Sequence, residues 1–167
     1  MTSLTFDIAH ERPQDAADIE HLHEISFGPG RFARTAFRLR EGIPFIDELG
    51  FVALIDGRMI GSVRFSPIWI GDHPGLLLGP LAVLPQYNGK GVGKALVRTG
   101  MAAAEARAEI AALLVGDLPY YGPLGFHRVP LGSITLPGPV DPMRILVSPL
   151  KPGGTEGLAG AVLPRRI

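Results

Sequence analysis

Three glycines and two lysines stand together in the stretch VLPQYNGKGVGKAL, between a strand-like apolar run and a helix-like run. Successive backbone N–H groups at a helix N-terminus bind anions through hydrogen bonds and the helix dipole. Gly89, Gly91 and Gly93 allow a ligand to approach the backbone closely, and Lys90 and Lys94 add positive charge. This composition favours a pyrophosphate-binding cradle over an ordinary tight turn.

Two nucleotide-binding patterns fit this loop less well. In the pattern G-x-x-x-x-G-K-S/T, Asn88 stands where the first glycine belongs, and Ala95 replaces the magnesium-binding hydroxyl residue. In the dinucleotide pattern G-x-G-x-x-G, the last position is Lys94 or Leu96, depending on the starting glycine. Asp117 could still serve as a ribose-binding acid, so a nucleotide cofactor stays open as a weaker alternative.

The elements that must position this loop follow from hydrophobic periodicity, which predicts an antiparallel meander before the loop and a strand–helix–strand unit across it. That unit predicts a right-handed crossover between parallel strands. The class is α+β (an α/β sandwich), with a mixed, mostly antiparallel central sheet of about six or seven strands flanked by helices. We predict strands at 4–9, 51–56, 59–70, 75–84, 110–115 and 143–150, helices at 12–27, 31–41 and 91–107, and a short helical turn within 118–126.

Length and composition bound the remaining possibilities. The 167 residues suit one domain, which we place at 1–150, followed by a Gly/Pro-rich tail at 151–167 that packs on it or frays. Without cysteine there is no disulfide, thiolate zinc site or cysteine nucleophile. With 16 basic and 16 acidic residues, the balance gives no general attraction to nucleic acid or membranes. We expect a cytoplasmic protein without a bilayer-spanning segment.

Two motifs in the right order resemble those of the GNAT superfamily of N-acetyltransferases. The acetyl-CoA signature of that family is R/Q-x-x-G-x-G/A, after a strand that ends in V-x-P. In this chain Asn88, Gly91 and Gly93 take the three defined positions, and Asn88 departs from the usual Arg or Gln. The second motif is the family's Y-x-x-x-G-F, which LLVGDLPYYGPLGFHRV matches at Tyr121, Gly125 and Phe126. The wider run resembles a bacterial subgroup whose substrates are mostly unassigned.

The resemblance implies that acetyl-CoA is the cosubstrate and lies in a gap between the fourth and fifth strands. Tyr121 would protonate the departing CoA thiolate, and the Val83 N–H would polarise the thioester carbonyl. A primary amine, on a small molecule or a protein, would attack directly, and the protein could form a homodimer. The family's cofactor-binding positions fall on Leu81, Ala82, Val83, Asn88, Gly89, Lys90, Gly91, Val92, Gly93, Lys94 and Tyr121. The alternative is a non-catalytic acyl-CoA-binding or sensing domain.

The general base is unresolved, because the predicted fourth strand carries no ionisable side chain where relatives often have Glu. Candidates that could act through water are Asp72, His73, Asp117 and His127, each of which is also explained as a turn, cap or surface residue.

Two further groups of polar residues are interpreted as solvated surface. His21 and Glu24 share a helical face, but no other ligand type accompanies them, so we predict no metal site. Arginines at 31, 34, 38 and 40 could attract an anionic acceptor or RNA. In a chain without net charge, we interpret them as a solvated helix face.

Overall fold

The structure, a computed structural model, describes residues 4–167, so the first three residues of the expected domain lie outside it. None of the helices in this range has the length and apolarity that a membrane crossing requires. The strands are β1 (Asp7–His10), β2 (Gly50–Ile55), β3 (Arg58–Ile70), β4 (His73–Val83), β5 (Ala111–Val115), β6 (His127–Arg128), β7 (Ile134–Thr135), β8 (Ile145–Pro149) and β9 (Gly160–Pro164). The helices are α1 (Ala16–Phe27), α2 (Thr35–Arg40), α3 (Val92–Ala106) and α4 (Leu118–Tyr121).

The central sheet has the order β1-β2-β3-β4-β5-β8-β6. All its neighbours are antiparallel except β4 and β5, which are parallel and joined by α3. This confirms the predicted meander, the parallel crossover and the α+β class, although residues 4–167 contain nine strands rather than six or seven. The extra strands are short, and β9 lies in the C-terminal tail, where it pairs with β3 and β7.

The neighbouring strands β4 and β5 pair only at their beginnings, through Leu76 with Ala112 and Leu77 with Leu113. Just beyond, the register of β4 against β3 shifts. Val63 faces Leu81 and Phe65 faces Leu78, so two residues of β4, Gly79 and Pro80, stand opposite Arg64 alone. Such a bulge bends its strand and interrupts pairing. The carboxyl halves of β4 and β5 therefore remain free of each other and leave an opening in the sheet.

Helix α3 packs on the sheet through a face that agrees only in part with its hydrophobic periodicity, which predicts Val92, Ala95, Leu96, Thr99, Ala103 and Ala106. Val92 and Leu96 are buried, but Ala106 is exposed and the other three are only half-buried. The buried residues are Val92, Gly93, Leu96, Val97, Gly100 and Ala104. Glycines carry little weight in a hydrophobic pattern, yet a side chain at Gly100 would overlap the buried Phe65 ring, so this glycine marks the contact.

The predicted helix 31–41 is wrong in its first half. A short 3-10 helix, Pro29–Ala33, precedes Arg34, whose extended backbone (φ −72°, ψ 138°) separates it from α2. The arginines consequently do not share one helical face. Arg31 is buried at 4% exposure and donates to Glu20 and the Gly28 carbonyl, whereas Arg38 is exposed on α2.

The Gly100 contact predicts a stability effect opposite to helix propensity. Alanine is the better helix former by about 1 kcal/mol, but its methyl group would overlap the Phe65 ring. We expect Gly100→Ala to lower the free energy of unfolding by about 1–3 kcal/mol in urea denaturation. In a Phe65→Leu background the same change should cost less, because the smaller side chain leaves room. An equal cost in both backgrounds would contradict this packing.

Candidate active site

The opening between β4 and β5 forms one side of a cavity of about 860 Å³. It is bounded by the end of β4, the end of β5, α2, α4 and the chain before β8. Of the predicted cofactor-binding residues, Leu81, Val83, Asn88 and Tyr121 line it. The other lining residues used below are Phe27, Arg34, Phe37, Arg40, Gly79, Pro80, Gly116, Asp117, Tyr120, Asp141 and Arg144.

The end of β4 presents free backbone donors to this cavity. Leu84 donates its N–H to Ile60 on β3, at 2.8 Å. Successive N–H groups of an extended strand point to opposite edges, so the Val83 and Leu81 N–H groups point away from β3 and into the opening. Neither is paired with β5, which pairs with β4 only at Leu76 and Leu77 among the described residues. An extended ligand could therefore add to this edge like a further strand.

The predicted anion cradle, residues 88–94, lies at the N-terminus of α3. Gly89 and Gly91 have φ of 74° and 86°, in the left-handed region that favours glycine. Gly91 is the N-cap, and no side chain caps the helix there. Ala95 makes the first intrahelical bond, to the Gly91 carbonyl at 3.0 Å. The N–H groups of residues 92–94 are thus left available for a ligand.

The cradle residues differ in their placement. Gly89, Lys90 and Gly91 are exposed, Lys94 is half-buried, and Val92 and Gly93 are buried. None of the residues from Gly89 to Lys94 lines the cavity. Ala82 does not line it either, because it is buried in β4. The cavity and the cradle adjoin through Asn88 and the aromatic residues of α4.

Tyr121 ends α4 beside the carboxyl end of β5. Its ring packs on Phe126, with centroids 5.9 Å apart, and on Gly116, where a side chain would lie 2.5 Å from a Tyr121 ring carbon. Gly125, at φ 97°, turns the chain so that Phe126 is buried below the tyrosine. The matched Y-x-x-x-G-F residues therefore form one packed unit that fixes Tyr121 at the cavity.

Burial raises the pKa of Tyr121 to about 12, with smaller contributions from Tyr120 and the negative Asp117. The raised pKa means that the phenol keeps its proton throughout the neutral and mildly basic range. An ordinary phenol is already protonated at neutral pH, so burial widens the pH range of the acid form but makes it a weaker proton donor.

Tyr120 is a site residue that lies outside the matched motif positions Tyr121, Gly125 and Phe126. The two rings are 4.8 Å apart at 76°. The Tyr120 hydroxyl occupies the position that a side chain at Gly93 would take, and the Lys94 ammonium lies 5.7 Å from the Tyr120 ring centre. Tyr120 thus connects the cradle to the cavity. Because Tyr120 and Tyr121 are adjacent in the sequence, the sequence alone does not indicate which of them faces α3.

Of the four candidate bases, only Asp117 lines the cavity. Its carboxylate accepts a hydrogen bond from the Arg144 Nε at 3.2 Å and is largely exposed. Asp72 and His73 lie at the turn into β4, at the far end of that strand from Val83, and His127 is exposed on β6. No group of three or more His, Asp or Glu residues within 4–167 is arranged to hold a metal.

Arg40 contradicts the solvated-face interpretation, because it lines the cavity and its Nε and Nη1 atoms are buried. Arg34 also lines the cavity but is exposed. Arg40 places its guanidinium over the Phe37 ring at 5.2 Å, and its Nη2 packs against Gly79 in the β4 bulge. Burial lowers the Arg40 pKa to about 9, and the neighbouring positive charges of Arg34 and Arg64 contribute. The side chain is still a cation at neutral pH.

Comparison with solved structures gives the same architecture. The crystal structure of the GNAT family N-acetyltransferase YhbS from Escherichia coli, in complex with CoA, matches with a TM-score of 0.82. The match covers 99% of this chain and 92% of that one, at 28% identity. A GNAT family acetyltransferase from Brucella melitensis, in complex with acetyl-CoA, matches with a TM-score of 0.64 at 31% identity, over 85% of this chain and 94% of that one. The fold is therefore that of an acyl-CoA-dependent N-acyltransferase.

Sequence comparison places the chain within that class. The uncharacterized N-acetyltransferase YhbS of Escherichia coli K12 is 30% identical over 161 residues, which cover 91% of this chain and 92% of the relative. The family model described as acetyltransferase (GNAT) family matches residues 17–126. The chain belongs to the GNAT acetyltransferase family, which confirms the resemblance inferred from the two motifs.

The Tyr121 environment can be tested by spectrophotometric titration. At about pH 10.5 a tyrosine of ordinary pKa would be roughly three-quarters ionised. With its pKa raised to about 12, Tyr121 should stay protonated there. We expect wild type and Tyr121→Phe to show the same tyrosinate absorbance at that pH, with circular dichroism confirming that both stay folded. An additional tyrosinate in the wild type would contradict the raised pKa.

Proposed function

We propose that this protein transfers the acetyl group of acetyl-CoA to a primary amine. The arrangement that carries the proposal is the free edge of β4 beside an uncapped helix N-terminus, with Tyr121 between the two sheet halves. In this proposal the amides of residues 88–94 hold the pyrophosphate, and the Leu81–Val83 edge pairs with the pantetheine arm. CoA and acetyl-CoA in the two solved relatives support the choice of donor.

In the proposed reaction, the neutral amine nitrogen attacks the thioester carbonyl carbon. The Val83 N–H donates to the carbonyl oxygen as negative charge develops on it, a contribution typically worth about 10²–10³ in rate. A C–N bond forms and the C–S bond breaks. The sulfur leaves with the electron pair and takes the Tyr121 proton, while the nitrogen gives one proton to water. Proton return from water restores the Tyr121 phenol, and no covalent enzyme intermediate is required.

The activity is tested by CoA thiol release with a panel of primary amines, with mass spectrometry of the N-acetylated product. We expect amine-dependent release that exceeds background hydrolysis. Tight acetyl-CoA binding without release for any amine would replace this proposal with the non-catalytic binding domain. A thermal shift with NAD or ATP but none with acetyl-CoA would favour the nucleotide alternative instead.

Replacing Tyr121 separates proton transfer from donor binding. Tyr121→Phe keeps the ring that packs on Phe126 but removes the proton, so kcat should fall by about 10²–10⁴. Acetyl-CoA affinity, measured by calorimetry, should change little. Tyr120→Phe is the matched control and should lose much less in kcat. A near-wild-type kcat for Tyr121→Phe would exclude Tyr121 as the proton donor. If kcat falls strongly in Tyr120→Phe and not in Tyr121→Phe, Tyr120 is the proton donor instead.

The cradle is tested at Gly91, whose positive φ costs an alanine about 1–2 kcal/mol. Gly57, in the β2–β3 turn, has a similar φ of 77° and equally open surroundings, so Gly57→Ala is a matched control. Both variants should lose similar stability in urea. Only Gly91→Ala should bind acetyl-CoA more weakly, by about tenfold, because it displaces the helix N-terminal amides. Equal affinities in the two variants would contradict pyrophosphate binding at this loop.

A further inference from the structure

The wall of the cavity formed by α2 contains a half-buried cation, Arg40, two of whose guanidinium nitrogens are buried without partners among the described residues. The Nε and Nη1 atoms of Arg40 are buried and have no hydrogen-bond partner among residues 4–167. A buried guanidinium without an anion is costly, because the loss of hydration is not offset by a carboxylate or by hydrogen bonds. Proteins seldom retain such a group unless something else completes it.

The side chains around Arg40 do not supply the missing negative charge. Arg64, across the β4 bulge, is itself held by Glu11 in two hydrogen bonds of 2.9 and 2.7 Å. Arg34 adds a second cation to the same cavity wall, with its guanidinium 5.5 Å from the Phe27 ring centre. This part of the cavity is therefore positive and bordered by aromatic rings.

The two carboxylates that line the cavity already have other partners. Asp117 accepts from Arg144, and Asp141 accepts from the Met143 backbone N–H at 2.9 Å, where it caps a short 3-10 helix. Neither forms an ion pair with Arg40 or Arg34 within the described range. The carboxylates of the cavity wall therefore leave Arg40 available to an anionic group of a molecule that enters the cavity.

We propose that the acceptor of this acetyltransferase is an anionic amine, a primary amine that also carries a carboxylate or a phosphate, and that Arg40 binds the anionic group. The proposal rests on the acetyl-transfer function given above. Arg40 would act as a specificity determinant, since it would hold the acceptor and take no part in bond formation.

The position of Arg40 relative to β4 supports this assignment over a contact with the donor. Its Nη2 packs on Gly79, in the bulge, whereas the proposed thioester site is at Val83, further along the same strand. The pyrophosphate cradle lies beyond Val83, at the start of α3, so the three binding groups follow one another along the chain. Gly79 and Val83 are four residues apart, which is roughly 13 Å at most in an extended strand. An aliphatic spacer of several methylene groups, together with the hydrogen bond to the guanidinium, would span that distance.

The first test compares matched amines on the wild-type protein and needs no variant. β-Alanine and longer ω-amino carboxylates are compared with their carboxamides, and 2-aminoethyl phosphate is compared with ethanolamine. We expect kcat/KM to be at least about tenfold higher for the anionic member of a pair, in line with a charge-assisted hydrogen bond. The carboxylate and phosphate arms show which anion fits better. Equal or better rates for the neutral members would overturn the proposal while leaving acetyl transfer intact.

The second test removes the charge. Arg40→Met keeps much of the side-chain length, and Arg38→Met is the matched control on the exposed side of α2, outside the cavity wall. Arg40→Met should raise KM for the preferred anionic amine about 10- to 100-fold, leave KM for acetyl-CoA unchanged and abolish the preference over the neutral analogue. Arg38→Met should behave like wild type. Arg40→Lys, which keeps the charge, should recover part of the preference.

Two further readouts keep the outcome interpretable. Because the buried charge is unpaired, Arg40→Met should have a Tm no lower than that of the wild type, which a purely structural arginine would not allow. Weaker acetyl-CoA binding in Arg40→Met would assign the arginine to the donor and overturn the proposal. If no amine is acetylated, calorimetry on the CoA-saturated protein decides: amino carboxylate binding that Arg40→Met abolishes supports the anion site, and its absence in wild type overturns it.

Discussion

The loss of pairing between β4 and β5 beyond Leu77 and Leu113 is the constraint on which the site depends. The Gly79–Pro80 bulge bends β4 where pairing would otherwise continue, so one strand edge is left inside the molecule rather than at its surface. A strand edge that pairs with no other strand keeps its backbone donors available. The half-buried Val83 edge can therefore be completed by an extended ligand that lies between the strands.

Positively charged groups lie at both ends of the same opening, although the chain as a whole has no net charge. The α3 N-terminus with Lys90 and Lys94 lies at one end, and Arg40 with Arg34 lies at the other. Positive groups around a concave opening concentrate an electrostatic potential that the zero net charge of the whole chain does not reveal. A donor with a diphosphate and an acceptor with an anion would thus enter from different ends and meet near Val83.

The sequence predicted the parts of this site that depend on local pattern. The cradle, the crossover across it and the Y-x-x-x-G-F unit follow from glycine spacing, periodicity and residue order. Tertiary contacts decided the rest. Nothing in 31–41 shows that Arg34 is extended or that Arg40 turns inward, because helical periodicity treats every arginine as surface. Strand β9 was missed because its partners, β3 and β7, are distant in sequence, and the buried face of α3 depends on glycines that hydrophobic patterns ignore.

Burial favours the neutral form of both Tyr121 and Arg40, but with opposite consequences for function. For Tyr121 the neutral form is the acid that thiolate departure requires, and burial in the Phe126 and Gly116 packing keeps that form populated, although it also weakens the phenol as a proton donor. For Arg40 the same burial opposes the charge that the side chain still carries at neutral pH. A tyrosine in this place is explained by packing and chemistry together. An arginine is not explained by packing, since methionine would fill the space without the desolvation cost, and an anionic ligand is what accounts for its charge.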